Sequence, residues 1–346
     1  MASRPPEPPE SIILGNFKGV RNTVARHRLQ PEELEAAINV DIDDTGQVRR
    51  RRGYSLKLAG NFHSVRNVGG RILGVKDGLL GTVGTNFTFA SLGAPGGAEP
   101  LSYAQVGGVT YFSSLDVSGK LEDGVVSPWG AVSNDVWVSP VITPTETLGE
   151  LFGQQLTAPP SAQEIASYKG RLYLAAGRYL WCTELWLYDY VDPSKNFYQF
   201  EEDITLLVAM DDGIFVGTEA NLWFLNGAPS TGMTRANVLK YGVVRGSATS
   251  APAADVHPNA RGGALAESIS TIFLTQKGVC AGFNGGEVYD LTRARVEFPL
   301  AQSAAVLYRE DSGVSSFVAV TDSAGGSTAN ARIGDFVDAE IVRRGG

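Results

Sequence analysis

Residues Gly170 to Asp189 read GRLYLAAGRYLWCTELWLYD: a glycine, an apolar run from Leu172 to Ala176, a Gly177-Arg178 turn, then a second run rich in aromatic rings. Runs of four to six apolar and aromatic residues bounded by glycine suit short, mostly buried strands and are too short for helices. The same unit recurs. It begins again at Gly70 (GRILGVKDGLLGTV), Gly108 (GVTYFSSLDVSG), Gly213 (GIFVGTEANLWFLNG), Ser270 (STIFLTQKGVCAGFNGGEVYDL) and Ser315 (SSFVAVTDSAGG). These starts lie about 49 residues apart on average, and a four-stranded propeller blade has a period of about 40–50 residues. The pattern predicts an all-β, β-propeller-like body of five to six irregular blades. It matches a period and no named repeat, because none of the five tryptophans is followed by aspartate and the paired glycines are irregularly spaced. An irregular β-sandwich with insertions is the alternative that the same pattern allows.

Composition agrees with many tight turns. Glycine makes up 41 of 346 residues and charged residues only 19%. No apolar run is long enough for a membrane-spanning helix, and the opening residues, rich in Pro and Glu, lack the apolar stretch of a secretory signal. The expectation is a protein made in a cytoplasm and not inserted in a membrane. Cys182 and Cys280 are too few for a disulfide framework and suit the core. Charge is uneven: residues 1–60 carry 10 Lys+Arg and 8 Asp+Glu, whereas the remainder carries 19 and 29. An acidic body does not suit a general nucleic-acid binder.

Three segments follow from this reading. Residues 1–16 form a Pro-rich arm, 17–58 a docking segment, and 59–346 the propeller-like body. Within the docking segment, Pro31, Glu32, Glu33 and Glu35 predict the start of a short helix with Leu34, Ala37 and Ile38 on one face. After it, Val40 and Ile42, then Asp44-Thr45-Gly46, then the alternating Val48, Arg50, Arg52 and Tyr54 predict a β-hairpin, with Arg49 and Arg51 on its other face. Residues 247–263 (SATSAPAADVHPNARGG) predict a long surface loop or an excursion between blades.

Catalytic and metal motifs find little support. Asp41 to Gly46 fits the start of a calcium loop, but Arg52 stands where the bidentate glutamate belongs, so a β-turn explains it better. His27, His63 and His257 are widely separated and no Cys pair exists, leaving zinc and iron without a basis. No G-x-S-x-G elbow, phosphate loop or dinucleotide fingerprint occurs. No cofactor is expected. Carboxylate pairs of a glycosidase need no local motif; Asp135, Glu184, Asp189, Glu201, Glu202, Asp203, Asp211 and Asp212 are the candidates. Ser114-Leu-Asp116-Val-Ser118-Gly119 is near a sialidase aspartate box, but its glycine is one place late, and an ordinary turn explains it as well. The aromatic stretch Tyr179 to Tyr190 suits packing between blades or, alternatively, stacking on sugars or a partner.

One stretch carries more information. Phe17-Lys-Gly19-Val-Arg21-Asn22, Leu29-Gln-Pro31-Glu-Glu-Leu34, Ala37-Ile-Asn39-Val-Asp41-Ile-Asp43, Gly46 and Val48-Arg-Arg-Arg-Arg52-Gly53-Tyr54 follow one another in order. This order resembles the N-terminal part of the tail nozzle and related structural proteins of tailed bacteriophages, the packaged-DNA stabilisation and tubular B type. The resemblance implies a non-enzymatic virion component of the tail or neck, a homo-oligomeric ring with six copies as the first expectation. Neighbouring tail or connector proteins would be its partners and double-stranded DNA would pass through its channel. Arg49, Arg50, Arg51 and Arg52 with Tyr54, Asp41 and Asp43 are then expected at a subunit interface or the channel, since guanidinium groups pair bidentately with carboxylates and phosphates. Pairing within the hairpin is the simpler alternative for the same charges. An acidic body suits a conduit from which DNA must slide free, because phosphate contacts would hold it. A propeller that binds a carbohydrate receptor, or cleaves a glycan, is the opposing class.

Overall fold

The computed structural model describes residues 17–37, 40–42, 45–50, 55–130, 156–228, 232–256, 268–292, 295–296, 301–311 and 314–323. Five four-stranded antiparallel sheets follow one another along the chain, each a meander in which neighbouring strands are consecutive. A short hairpin precedes them, β1 (Val40–Ile42) and β2 (Val48–Arg50). The first sheet contains β3 (Phe62–Val68), β4 (Arg71–Lys76), β5 (Leu79–Val83) and β6 (Phe89–Pro95). The second contains β7 (Ser102–Val106), β8 (Val109–Ser113), β9 (Ser118–Glu122) and β10 (Val125–Ser127). The third contains β11 (Glu164–Tyr168), β12 (Arg171–Ala176), β13 (Tyr179–Cys182) and β14 (Phe197–Gln199). The fourth contains β15 (Ile204–Ala209), β16 (Gly213–Thr218), β17 (Leu222–Ala228) and β18 (Gly232–Leu239). The fifth contains β19 (Thr249–Pro252), β20 (Ile269–Thr275), β21 (Gly278–Gly282) and β22 (Val288–Asp290), with a single helical turn, α1 (Ala253–Val256), after β19. A last pair, β23 (Ala301–Asp311) and β24 (Val314–Ser323), stands as a two-stranded sheet.

The core is a series of sandwiches between successive sheets. Leu73, Val75 and Leu80 of the first meet Tyr103, Phe112 and Leu121 of the second. Ala104 and Tyr111 meet Ile165, Leu172 and Leu174 of the third. Tyr173, Leu180 and Cys182 meet Leu207, Ile214 and Leu225 of the fourth. Phe215, Leu222 and Phe224 meet Phe273 and Cys280 of the fifth. Finally Ile272, Leu274 and Val279 meet Phe317 and Ala319 of β24. Where one face of a strand packs on the preceding blade and the other on the next, as in β16 and β21, all residues are buried. This is a five-bladed β-propeller.

The repeat read from the sequence is real, and its phase is now defined. Gly70, Gly108, Gly170, Gly213, Ser270 and Ser315 all fall at the start of the second strand of a sheet, at or beside β4, β8, β12, β16, β20 and β24. The glycines mark the turn out of the first strand. At Gly69-Gly70 and Lys169-Gly170 both central residues have positive φ, the geometry of a two-residue hairpin whose twist matches that of its strands.

Two local expectations are corrected. Residues 31–37 form turns and no helix; the one helical feature of the docking segment is the 3-10 turn Arg26–Arg28. Leu34 instead pairs with Val20, its N–H donating to the Gly19 carbonyl at 3.0 Å while the Arg21 N–H donates to Leu34 at 2.7 Å. One turn of helix cannot repay its own nucleation, whereas this pairing gains two bonds at once. In the expected loop 247–263, Thr249–Pro252 is β19 and Ala253–Val256 is α1, while 257–263 lie outside the described residues. Its small residues serve close packing: Ala251 and Ala253 are buried, and the Ser247 hydroxyl donates to the Val244 carbonyl and accepts from the Leu274 N–H.

Candidate functional site

Three features are candidates: the N-terminal docking segment, a charge cluster among the inner strands, and the loop between β13 and β14.

In the docking segment, β1 and β2 pair as the sequence implies, Val40 with Arg50, Asp41 with Arg49 and Ile42 with Val48. In this register Arg49 lies across from Asp41, and the Arg49 guanidinium donates to Gln47 at 3.4 Å. Val48, Arg49 and Arg50 are exposed. Arg51, Arg52, Tyr54 and Asp43 lie outside the described residues. Preceding residues are fastened by charge. Glu33 accepts two bonds from Arg21, at 3.0 and 3.3 Å, and one from the Gln30 N–H at 3.1 Å, with Arg295 3.8 Å away. The Gln30 N–H, then the Arg21 and Arg295 guanidiniums, hold the Glu33 carboxyl below its usual range despite some desolvation. Arg26 pairs with Glu35, and Lys18 with Glu32. Because the Asn22 N–H also donates to the Arg295 carbonyl, the segment is tied to the chain between β22 and β23.

The second feature joins different blades. Glu164, first residue of β11, is pushed above the usual carboxylate range by burial, an effect opposed by Arg66 of β3, a hydrogen bond from Ser102 of β7, and Arg245 beside β23. Around it, hydroxyl and amide side chains stitch blade to blade. Ser64 accepts from the Leu101 N–H at 2.7 Å, Ser102 from the Ile165 N–H at 3.1 Å and Ser113 from the Ala162 N–H at 2.9 Å, while Gln163 donates to the Ile204 carbonyl at 3.0 Å. Burying a serine here satisfies a backbone donor that the blade's own ladder leaves open.

The third feature corrects the reading of the aromatic stretch. Trp181 and Tyr188 do pack between the second and third blades. Tyr179, Trp181 and Phe197 form a ring cluster with centroids 5.3–6.1 Å apart. Trp186, however, is 69% exposed and has φ +62°, a left-handed backbone that a bulky residue adopts only under constraint. Its N–H donates to the Gly170 carbonyl at 2.8 Å. Glu184 accepts from Asn196 at 2.7 Å and neighbours Arg171 and Lys195, Lys120 bonds Asp189 at 2.6 Å, and the Trp129 indole donates to the Tyr188 carbonyl at 3.0 Å. The periodicity could not reveal this, since alternation marks burial and carries no backbone angle.

Three of the remaining carboxylates, Glu202, Asp211 and Asp212, have structural partners. Asp211 and Asp212 clasp Asn284 and the Gly285 N–H of the fifth blade, at 2.9 and 2.7 Å, and Glu202 accepts from Thr218 at 2.9 Å. They are fasteners between and within blades as well as strand ends. Asp135 lies outside the described residues. Ser114 accepts from the Asp116 and Val117 N–H groups, so the aspartate-box-like stretch is a serine-capped turn between β8 and β9. Cys182 and Cys280 are buried, and burial pushes the Cys182 thiol up to about 11. Among the described residues no group of His, Cys, Asp and Glu could hold a metal ion.

No family model matches the chain, and no curated protein does. Solved structures match in architecture. The WD40 β-propeller domain of Doa1 gives a TM-score of 0.44 at 11% identity, covering 81% of this chain and 84% of that one. A streptogramin B lyase gives 0.44 at 10%, covering 80% and 82%. The extracellular domain of the putative hybrid two component system BT4673 from B. thetaiotaomicron gives 0.43 at 12%, covering 84% of this chain and 34% of that one, so the chain spans about a third of its length. These likenesses concern the propeller fold alone.

Proposed function

We propose that the chain is a structural component of a bacteriophage virion, a tail or head-to-tail ring protein whose copies surround the DNA channel, with residues 17–58 as the docking segment. The reading rests on the ordered motif series from Phe17 to Tyr54, which resembles the entry segment of tail nozzle proteins. The propeller is the body that this resemblance implies. The exposed β2 arginines, on a hairpin outside every blade, suit contact with a neighbour's carboxylates. The acidic balance of residues 61–346 suits a conduit that releases DNA. Assembly would take place in the bacterial host, with connector or tail proteins on either side.

Native mass spectrometry of the purified full chain tests this. The expected result is a multiple of 36.8 kDa, six being the first expectation. A monomer at every concentration, turning over a glycan, would overturn the reading in favour of a carbohydrate-active propeller.

A further inference from the structure

The Glu164 cluster joins more than neighbouring blades. The first strand of each blade is the innermost: β3 adjoins β7, β7 adjoins β11 and β11 adjoins β15, with Ser102 of β7 bonded to the Ile165 N–H at 3.1 Å. Glu164 at the start of β11 is reached by Arg66 of the first blade and by Arg245 on the connection into the fifth. Arg245 is fixed there, since the Val244 N–H donates to the Leu274 carbonyl at 3.0 Å and the Ala304 N–H to the Arg245 carbonyl at 2.8 Å. A whole blade stands between each arginine and Glu164, and side chains of blades that are not neighbours meet only across the propeller axis. Glu164 also keeps partial solvent contact while burial raises its carboxyl, the combination expected on the wall of an internal passage.

The local geometry turns these groups to one place. β3 is bulged between His63 and Arg66, and a bulge re-aims the side chain beside it. On the next inner strand the Tyr103 hydroxyl, close enough to feel the Arg66 charge, belongs to a residue 7% exposed and has no hydrogen-bond partner among the described residues. A buried hydroxyl without a partner is costly, and a ligand is one way to satisfy it. Two guanidiniums face one carboxyl, which leaves positive charge in excess. Burial favours the acid form of Glu164, and a carboxyl in that form donates a hydrogen bond to an anion.

We propose that Arg66, Arg245, Glu164 and Tyr103 form an oxyanion site on the propeller axis that takes a phosphate group. Two arginines match the charge of a phosphate dianion, and their planar forks suit its oxygens. The site lies within one copy, so it goes beyond the ring reading and does not depend on it.

Titration of inorganic phosphate into the purified full-length chain at pH 7 and constant ionic strength, set with chloride, tests it by calorimetry and phosphorus NMR line width. Saturable binding is expected, with a Kd of about 10 μM to 1 mM. Arg66→Gln, at an exposed position, and Arg245→Gln should each weaken it by about tenfold or more, because each removes charge-assisted bonds. Tyr103→Phe should weaken it by about threefold or more. Arg235→Gln, exposed on the outer strand β18, should leave it unchanged. Circular dichroism checks that each variant is folded; should Tyr103→Phe unfold, the two arginine variants decide. Absence of saturable binding, or binding that both arginine variants retain in full, would overturn the proposal and leave the ring reading untouched.

Discussion

Replacing Phe215 by alanine tests whether the blades are energetically one body. Phe215 is fully buried on β16, its ring 4.8 Å from that of Phe224 in its own blade and 6.4 Å from that of Phe273 in the next. The wall around it cannot easily collapse: a Cβ placed on Gly282 would lie 2.9 Å from the Phe215 ring, so backbone already borders the site. Loss of a buried phenylalanine to alanine costs about 3–5 kcal/mol, the upper part applying where the cavity stays open, and each aromatic pair lost adds about 0.5–1.5 kcal/mol. An expected loss of about 4–5 kcal/mol follows. Urea unfolding followed by far-ultraviolet circular dichroism reads it. Because Phe215 serves the fourth and fifth blades at once, the whole curve should move to lower urea with its slope preserved. A loss under about 1 kcal/mol, or a second transition confined to part of the signal, would refute the reasoning.

Glu164→Gln tests the charge cluster. A carboxyl whose folded pKa is raised stabilises fully below its ordinary pKa and loses that contribution as pH rises through the raised value. The variant should therefore melt higher than wild type near pH 7 and converge with it toward pH 4; the opposite trend would show Arg66 and Arg245 outweighing burial. Trp186→Gly should raise stability by about 1 kcal/mol by releasing left-handed strain, and a loss of that size would mean the ring's packing on Gly170 outweighs the strain. Asp212→Ala removes the acceptor of the Gly285 N–H and should cost about 1–3 kcal/mol in urea unfolding; no change would make that contact incidental. Cys182 and Cys280 should react with an aromatic disulfide reagent only as fast as the protein unfolds, and prompt labelling at pH 8 would contradict their burial.

Much of the body was legible because a blade writes its turns into the sequence. The Gly69-Gly70 and Lys169-Gly170 hairpins need positive φ, and glycine at the second position betrays each one, so the repeat could be phased to within a residue or two. The hairpin of Val40 to Arg50 was legible for the same reason. The short helix expected at Pro31 was misread because its glutamates fit a helix start equally well as acceptors for Arg21, Arg26 and Lys18; only the pairing of Leu34 with Val20 decides. β19 was hidden since its small polar residues carry no apolar alternation, and what makes Thr249–Pro252 a strand is β20 beside it. Of the candidate site, Asp41 opposite Arg49 was readable from the register. The convergence of Glu164, Arg66 and Arg245 was not, because these residues are separated by 98 and 81 positions and meet only once the blades are arranged.

Electron cryomicroscopy of the purified full-length protein tests the central claim most directly. Closed rings of propeller discs around a central channel are expected, six copies being the first expectation. Isolated single discs at all concentrations, with no density joining one to the next, would contradict it.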